Sequence, residues 1–499
     1  MINISTSIML RACIYLSIVL SLINFFFNRS LWLDEAALAL NIVEKDIISL
    51  LRPLDFNQVA PIGFLLIEKI VSGLFGYSDW SLRVIPLVSY LISIYVFYLF
   101  SLKATKDQLI ATVATAFYCS SYFVLYYSSE VKQYMTDSLL SLLTVFSVIR
   151  IVEDNSTKNS TFLLLMGVLG VWFSNVSIIV LFPAGLYYLH HTITVTRKYI
   201  QTFLILFAWS FSFAIYFFLF IHQHPTKEMM VEFWEFHGAF IHSNILSANF
   251  WIQLIDKFER YFSLLGFKKF SLAIIPFFIV GVLTTYRLGK NYLFLMIFPL
   301  LLHLALAYLK LYPFQTRLTL YMIPFLIILS VTGIVKTVQY LKLDSSKFFM
   351  PIILIPIVLN LVLLGLRGFP IENEEIKRSM RFIDENITKG DCVYVYDGSL
   401  LAFTFYKKKY SNLSEMRSDQ IYHANSYKED WNMHSRDVKE LGNEDTIWLL
   451  FSHVYKKNIN SEISEDEFIV SLFEMKGFEV RDMLESEGSS LYKMVNLIN

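Results

Sequence analysis

The sequence predicts a polytopic α-helical membrane protein of about 11 transmembrane helices, with a C-terminal extracytoplasmic α/β domain. Of its 499 residues, 55% are hydrophobic and only 17% are charged, and the mean hydropathy is +0.52. These values are typical of a chain that lies largely in lipid. Apolar runs of about 20 residues, the length needed to cross a bilayer, recur up to residue 366. After Pro370 the pattern changes to that of a mixed α/β domain.

The apolar runs give eleven candidate transmembrane helices. The first run has no basic leader and no small-residue cleavage site, so we expect a retained anchor instead of a cleaved signal peptide. Ser174 and Asn175 divide a short pair of runs, which we take as two spans. The candidate spans are 8–27, 82–102, 109–127, 134–151, 161–174, 176–190, 199–221, 271–287, 291–309, 318–336 and 349–366.

Positive charges collect on one set of the short loops between these spans. Each of those loops carries at least two Lys or Arg side chains, which places it in the cytoplasm by the positive-inside rule. The opposite face then holds the loops 28–81, 128–133, 222–270 and 310–317 and the tail. The sequence therefore predicts a transmembrane domain over 1–368, in which 28–81 and 222–270 are large outer loops.

The tail after this domain is predicted to be a separate periplasmic α/β domain over 369–499. Its apolar residues follow helical spacing in two segments and strand-like runs in the others. The predicted helices are 372–386 and 464–476, and the predicted strands are 391–396, 446–451 and a pair within 478–495.

Charge and motif content exclude several classes of protein. The 42 basic and 42 acidic residues cancel, so the net charge gives no basis for binding nucleic acid. The three cysteines form no CxxC pair, which argues against a disulfide framework and a cysteine metal site. No Walker loop or GxGxxG is present, and a nucleotide-driven pump is therefore not indicated.

Two adjacent carboxylates, Asp34 and Glu35, stand just after the first span, where the chain would leave the membrane. Ionisable groups at that depth are costly and usually functional. The simpler interpretation is that Asp34 caps a following helix and Glu35 lies in its first turn. The two roles are compatible.

Two further outer loops carry charged side chains at the membrane edge. Glu130, Lys132 and Tyr134 lie in one, and their simplest role is anchoring at the interface. Tyr312 and Arg317 lie in the other. An arginine on the outer side opposes the positive-inside tendency, and its planar fork suits a phosphate or a carboxylate.

Histidines give no clear metal or catalytic pattern. Those of the 222–270 loop match no standard ligand spacing, and its many aromatic side chains are expected mainly to seat the loop on the interface. His303 lies inside a predicted span. It could serve a membrane O-acyltransferase, but a hydrogen-bonded core residue is the commoner case.

Six short segments carry the distinctive residues of the outer face and tail. They are Trp32-Leu33-Asp34-Glu35-Ala36, Gln58-Val59-Ala60-Pro61, Gly76-Tyr77-Ser78-Asp79-Trp80-Ser81-Leu82-Arg83-Val84-Ile85-Pro86, Glu130-Val131-Lys132-Gln133-Tyr134, Tyr312-Pro313-Phe314-Gln315-Thr316-Arg317 and Gly390-Asp391-Cys392-Val393-Tyr394-Val395-Tyr396. In this order they resemble the GT-C superfamily of integral-membrane glycosyltransferases, in its protein-mannosyltransferase and aminoarabinose-transferase branch. The resemblance covers most of the membrane region and implies the GT-C fold.

The resemblance implies transfer of a sugar from a polyprenyl-phosphate carrier to an acceptor at the outer face of the membrane. By motif match, Asp34 would be the general base that takes the proton of the acceptor hydroxyl, and Glu35 would support it at the catalytic site. Attack opposite the phosphate would invert the anomeric centre. Fixed cations would stabilise the leaving phosphate, and the resemblance assigns donor phosphate binding to Lys132, Arg317 and Arg83.

Substrate binding is assigned by the same resemblance to a second group of residues. The chain departs from the family pattern in two places: many relatives carry a basic residue and two prolines near Gln58, and lysine replaces the usual arginine at Lys132, which keeps the charge and loses the bidentate fork. Some relatives use a divalent metal near the donor phosphate and others need no cofactor, and the sequence assigns no metal ligand. The substrate-binding residues are Asp55, Gln58, Glu130, Tyr134 and Tyr312.

These inferences predict an inverting, polyprenyl-phosphate-sugar-dependent hexosyltransferase of the bacterial inner membrane, active on the periplasmic side. Its expected partners are the lipid-linked donor, a glycan or lipid-glycan acceptor such as O-antigen lipopolysaccharide, and the bilayer. The chain is most similar to serotype-converting glucosyltransferases, which makes glucose the first sugar to consider. The alternative is a lipid-linked glycan flippase or transporter, although its polar groups would be expected near mid-membrane.

Overall fold

A computed structural model describes residues 2–222, 224–266, 271–342, 349–427, 430–441, 444–455 and 463–497. The chain divides into two compact units, of which the first comprises Met1–Phe26 and Asp46–Gly368 and the second comprises Phe27–Lys45 and Phe369–Asn499. The segment that carries Asp34 and Glu35 thus clusters with the C-terminal part of the chain. The division into a membrane domain and a periplasmic domain stays a prediction.

The first unit is built from helices. Short 3-10 or π turns lie at Ser49–Leu51, Ser81–Arg83, Thr192–Thr196, Phe217–Ile221, Ser271–Ile274 and Thr316–Met322. The α-helices are Ile2–Phe27, Ile62–Phe75, Val84–Thr105, Gln108–Ser120, Tyr122–Tyr127, Tyr134–Glu153, Thr157–Phe173, Ser177–His191, Tyr199–Tyr216, Lys227–Phe236, Ala248–Ser263, Ile275–Leu288, Lys290–Tyr308, Ile323–Tyr340 and Phe349–Leu366.

Seven helices in the described residues are long and apolar enough to cross a membrane. Each of the eleven predicted spans coincides with helical structure, so the polytopic helical class is confirmed. The predicted span 109–127 is not a single helix, because Ser121 takes an extended backbone with ψ 123° and interrupts it. The seven are Ser7–Phe27, Ser81–Thr105, Tyr134–Glu153, Ser177–Thr196, Tyr199–Ile221, Lys290–Tyr308 and Thr316–Tyr340, and shorter apolar helices are Gln108–Ser120, Leu272–Leu288 and Ile357–Leu366.

Two glycines allow close contact between two helices of the first unit. A Cβ atom added at Gly281 would lie 1.8 Å from the carbonyl oxygen of Leu329, and one added at Gly333 would lie 1.6 Å from that of Phe277. Small residues are the usual means of close helix packing in lipid, where apolar burial between helices gains little. Tyr134–Glu153 is almost wholly buried and contributes to the interior of this unit.

The second unit contains a five-stranded mixed sheet. In the order β2-β1-β3-β5-β4, β1 pairs in parallel with β2 and β3, and β5 pairs antiparallel with β3 and β4. The strands are β1 (Cys392–Val395), β2 (Ile421–His423), β3 (Thr446–Ser452), β4 (Phe478–Ser486) and β5 (Ser489–Asn496). The α-helices of this unit are Leu33–Glu44, Ile376–Asn386, Leu400–Lys407, Ser411–Glu415, His434–Glu440 and Glu465–Met475.

The predicted α/β pattern of the tail is therefore confirmed. The predicted strands 391–396 and 446–451 correspond to β1 and β3, and the predicted helix 464–476 corresponds to Glu465–Met475. Burial explains the agreement, since every residue of β1 is buried and continuous apolar runs are typical of buried strands. Strand β2 was not predicted, because three residues are too few to establish a period.

Candidate active site

Asp34 and Glu35 lie in the first turn of the helix Leu33–Glu44. The N-cap of this helix is Trp32, whose side chain makes no capping hydrogen bond, so the interpretation of Asp34 as the cap is wrong. Asp34 lies two residues beyond the cap, where the positive end of the helix dipole still favours a carboxylate. Its side chain is half-buried, whereas that of Glu35 is fully buried.

Glu35 forms a buried ion pair with Arg29. Nη1 of Arg29 lies 2.8 Å from Oε2 of Glu35, and the two side chains are 1% and 0% exposed. A buried carboxylate requires such a partner, because its desolvation costs several kcal/mol. Glu35 is thus accounted for by the fold, and Asp34 is the member of the acid pair that solvent reaches.

The backbone that precedes Asp34 is bound by side chains from the C-terminal part of the same unit. The backbone amides of Ser30 and Leu31 before the helix and of Leu33 at its start donate to two carboxylates and a tyrosine hydroxyl. Sequence analysis missed all three acceptors. No local signal indicates them, since the interacting residues are more than 340 positions apart. The pairs are Ser30 with Glu375 (3.1 Å), Leu31 with Tyr406 (2.9 Å) and Leu33 with Glu374 (3.0 Å).

In the first unit, two predicted site residues from different loops contact each other. Nζ of Lys132 donates a 2.6 Å hydrogen bond to Oε1 of Gln58, and both side chains are buried. The amide of Lys132 also donates to the carbonyl of Glu130 at 2.7 Å, which closes a tight turn ahead of the helix Tyr134–Glu153. The buried ammonium group of Lys132 thus lies beside the uncharged side-chain amide of Gln58, which belongs to the outer loop 28–81.

Other predicted site residues surround Tyr127 in this unit. Its ring meets the ring of Tyr134 edge-on with centroids 5.2 Å apart, and it interacts electrostatically with Glu130 and Arg317. The guanidinium of Arg317 lies 5.3 Å from the ring centroid of Trp234, within cation–π range. The structure therefore brings residues of the loop 128–133 and of the loop 310–317 together.

His303 supports the loop that contains Tyr312. Its Nε2 donates to the carbonyl of Pro313 at 3.0 Å and its Nδ1 accepts from the hydroxyl of Tyr321 at 3.1 Å. The side chain is fully buried, which matches the hydrogen-bonded core residue that the sequence analysis gave as the commoner case. Tyr312 packs beside it with ring centroids 5.3 Å apart and interacts electrostatically with Tyr134.

The two remaining predicted residues have opposite surroundings. Arg83 ends the 3-10 turn Ser81–Arg83 and is only 1% exposed. Asp55 is exposed and precedes Phe56 and Asn57, whose φ angles of 57° and 54° are left-handed.

The described part of the loop 222–270 does not assemble a metal centre. Its histidines bond locally: Nδ1 of His237 donates to the carbonyl of Phe233 at 2.7 Å, and Nδ1 of His242 lies 3.4 Å from Oε1 of Glu235. Among the residues that the structure describes, no three His, Cys, Asp or Glu side chains are grouped to hold an ion. Trp234 is buried in a small core with Ala239 and Phe240 instead of lying on the surface of this loop.

Two buried acids of the first unit were also missed. Asp137 lies one turn into the helix Tyr134–Glu153 and interacts electrostatically with Tyr312; an acid inside an apolar span was the signal for it. Glu68 lies in the helix Ile62–Phe75, and neither of its carboxyl oxygens has a hydrogen-bond partner among the described residues. Burial raises the pKa of Glu68 well above its ordinary value.

The fold is that of a mostly helical, multi-pass membrane protein. Residues 59–229 match the family model of dolichyl-phosphate-mannose-protein mannosyltransferase. The chain is also similar to the crystal structure of ArnT from Cupriavidus metallidurans bound to undecaprenyl phosphate, with TM-score 0.54, 12% identity, and coverage of 96% of this chain and 97% of that one.

The apo structure of the same ArnT gives a TM-score of 0.52 at 11% identity, with the same coverage of both chains. No curated protein matches this sequence. The resemblance to the GT-C superfamily and the GT-C fold are thereby confirmed, and together the two kinds of likeness support a glycosyltransferase.

Proposed function

We propose that this protein is an inverting hexosyltransferase of the bacterial inner membrane. It moves a sugar, with glucose as the first candidate, from a polyprenyl-phosphate carrier to an O-antigen, lipopolysaccharide or other envelope glycan on the periplasmic side. The likeness to an ArnT structure that holds undecaprenyl phosphate supports a carrier of that chemical class. The observation on which the proposal rests is the division of the acid pair: Glu35 is buried against Arg29, while Asp34 is accessible.

In the proposed reaction Asp34 is the general base. Its carboxylate accepts the proton of the acceptor hydroxyl as that oxygen attacks the anomeric carbon of the donor sugar. A carboxylate suits this step because it both orients the attacking oxygen and takes its proton, which typically accelerates such reactions about 10²–10⁴-fold. Attack opposite the phosphate inverts the anomeric centre, so a β-linked donor gives an α-linked product.

The bond between the anomeric carbon and the phosphate oxygen breaks as the new glycosidic bond forms. The polyprenyl phosphate leaves with added negative charge, and cations placed beforehand stabilise that charge most in the transition state. We assign this role to Lys132, Arg317 and Arg83. Lys132 contributes a point charge, whereas an arginine can contribute a fork of two donors.

Five further residues are proposed to contact the sugars. Gln58 is included because its side chain accepts a hydrogen bond from the ammonium group of Lys132. Glu130 is included because its backbone carbonyl accepts from the backbone amide of Lys132. Tyr134 and Tyr312 offer aromatic faces, which stack on sugar rings, and polar hydroxyl groups. Asp55 is exposed on the first loop and is assigned to the acceptor.

The test compares surface glycans and lipid-linked sugars from four strains by mass and linkage analysis. They carry the wild-type gene, a deletion, Asp34→Asn, and Glu44→Gln as a control, since Glu44 is an exposed acid on the same helix. We expect one hexose to be absent from a surface glycan in the deletion and Asp34→Asn strains, with the lipid-linked hexose accumulating. The control should match wild type.

No change in any glycan or lipid-linked intermediate would overturn the proposal. If Asp34→Asn retained the modification that the deletion loses, Asp34 would not be the base. A transporter would be indicated if the deletion changed only the distribution of lipid-linked sugars between the two membrane faces.

A further inference from the structure

The helix that carries Asp34 receives its N-terminal hydrogen-bond acceptor from a distant residue. The first amides of any helix lack intrahelical partners, and Trp32 provides no side-chain cap here. Oε2 of Glu374 accepts from the amide of Leu33, the first residue of the helix, at 3.0 Å across a separation of 341 residues. A carboxylate at this end of a helix is also favoured by the dipole.

The other oxygen of Glu374 is occupied as well. Nδ1 of His453 donates to Oε1 at 2.6 Å, and the two side chains are 28% and 11% exposed. His453 directly follows β3 and has a left-handed φ of 54°, which is a strained backbone conformation for a residue with a side chain. Such strain persists only where the surroundings determine it. His453 therefore orients the carboxylate that binds the helix.

The residues before the helix are bound in the same manner. The amide of Ser30 donates to both carboxylate oxygens of Glu375 at 3.1 and 3.2 Å, and the amide of Leu31 donates to the hydroxyl of Tyr406 at 2.9 Å. The segment thus lies against this part of the unit as an extended peptide would. Glu374 differs from these two acceptors in that its partner, Leu33, is the first residue of the helix.

We propose that Glu374, oriented by His453, is a positioning residue for Asp34. The inference rests on the proposed function, in which Asp34 is the general base. Leu33 is adjacent to Asp34, so the carboxylate that holds the Leu33 amide sets the place of the first helical turn and of the base within it. A base displaced by about 1 Å loses about a hundredfold in rate, which makes a rigid helix start valuable to catalysis.

The substitutions Glu374→Gln and Glu374→Ala separate positioning from folding. Gln keeps an oxygen that accepts from Leu33 and loses the charge, whereas Ala removes the contact. Glu372→Gln is the matched control, since Glu372 precedes Glu374 by two residues and pairs at the surface with Arg378. All variants are prepared as the full chain in nanodiscs, with undecaprenyl-phosphate glucose as the donor and lipopolysaccharide from the deletion strain as the acceptor.

Four quantities are measured per folded molecule: kcat, donor KM, binding of undecaprenyl phosphate, and deuterium exchange of peptides that contain residues 28–45. We expect kcat to fall about tenfold in Glu374→Gln and about a hundredfold in Glu374→Ala, with KM and lipid binding within twofold of wild type. Exchange of the 28–45 peptides should rise in the same order. The control should match wild type in every quantity.

Wild-type kcat in both Glu374 variants would overturn the positioning role, as would a loss of lipid binding equal to the loss of kcat, which indicates general misfolding. Glu374→Gln keeps the inference testable if Glu374→Ala does not fold. If the wild-type protein transfers no sugar from any lipid-linked donor, the proposed function itself fails and the inference fails with it. An active wild type with unaffected variants defeats the inference alone.

Discussion

Arg29 and Glu35 form an ion pair of 2.8 Å in which both side chains are buried. Removing one partner of a buried ion pair typically costs about 3–5 kcal/mol. Glu35→Gln should therefore lower the free energy of unfolding by about that amount, measured by denaturant titration in detergent. Asp419→Asn, which breaks an exposed pair with Arg417, should cost less than about 1 kcal/mol. Equal losses in the two variants would contradict the structural role of Glu35.

Asp34→Asn should lower the rate of sugar transfer and leave stability unchanged, whereas Glu35→Gln should lower stability. The side chain is half-buried, so we expect the melting temperature to stay near that of wild type. The rate of sugar transfer should fall about 10²–10⁴-fold, the usual contribution of a general base. Retention of full activity would remove Asp34 from the chemistry.

Lys132→Met should weaken binding of undecaprenyl phosphate at least about tenfold, because a hydrogen bond to a charged group contributes about 1.5–3 kcal/mol. Lys132→Arg keeps the charge and should recover most of the affinity. Native mass spectrometry of the protein with added lipid measures the effect. Lys103→Met is the control, since Lys103 pairs with Glu153 in a partly exposed ion pair. Equal binding by Lys132→Met and wild type would exclude Lys132 from the phosphate site.

His303→Phe should loosen the loop that precedes Arg317. It removes the donor to Pro313 and the acceptor for Tyr321, and each buried polar group left unsatisfied costs about 1–3 kcal/mol. We expect a clear drop in melting temperature and weaker binding of undecaprenyl phosphate. Tyr321→Phe removes only one of the two bonds and should have the smaller effect. The reverse order would show that the histidine does not hold this loop.

Glu68 should make the stability of the protein depend on pH. Because burial raises its pKa in the folded state, the folded protein retains a proton that the unfolded chain releases above the ordinary value of 4.5. The free energy of unfolding should then fall as pH rises from 4.5 toward the raised pKa, by up to about 1.4 kcal/mol per pH unit.

Melting curves between pH 4 and 8 should show that Glu68→Gln lacks this slope and is more stable than wild type at pH 7. Glu44→Gln, at an exposed position, should keep it. A slope that survives in Glu68→Gln would mean that another group is responsible.

Local patterns predicted much of this protein because local physics determines them. A run of apolar residues long enough to cross lipid forms a helix, since no other conformation satisfies its backbone there. In the tail, Ser464 and Glu467 form a capping box at the start of the helix Glu465–Met475, which four residues encode. Where the pattern was short, as in β2, or broken by the backbone at Ser121, the prediction failed.

The sequence by itself determined the membrane class, the helical spans, the α/β tail and the motif that contains Asp34. Only the tertiary structure decided what each charge meets: Glu35 faces Arg29, Lys132 meets Gln58, and Glu374 holds the amide of Leu33. Propensity and hydrophobic period act over a few residues, whereas these pairs form between side chains and amides that chain folding alone brings within hydrogen-bond distance. The different environments of Asp34 and Glu35 are consequently set by the residues around them and not by the local sequence.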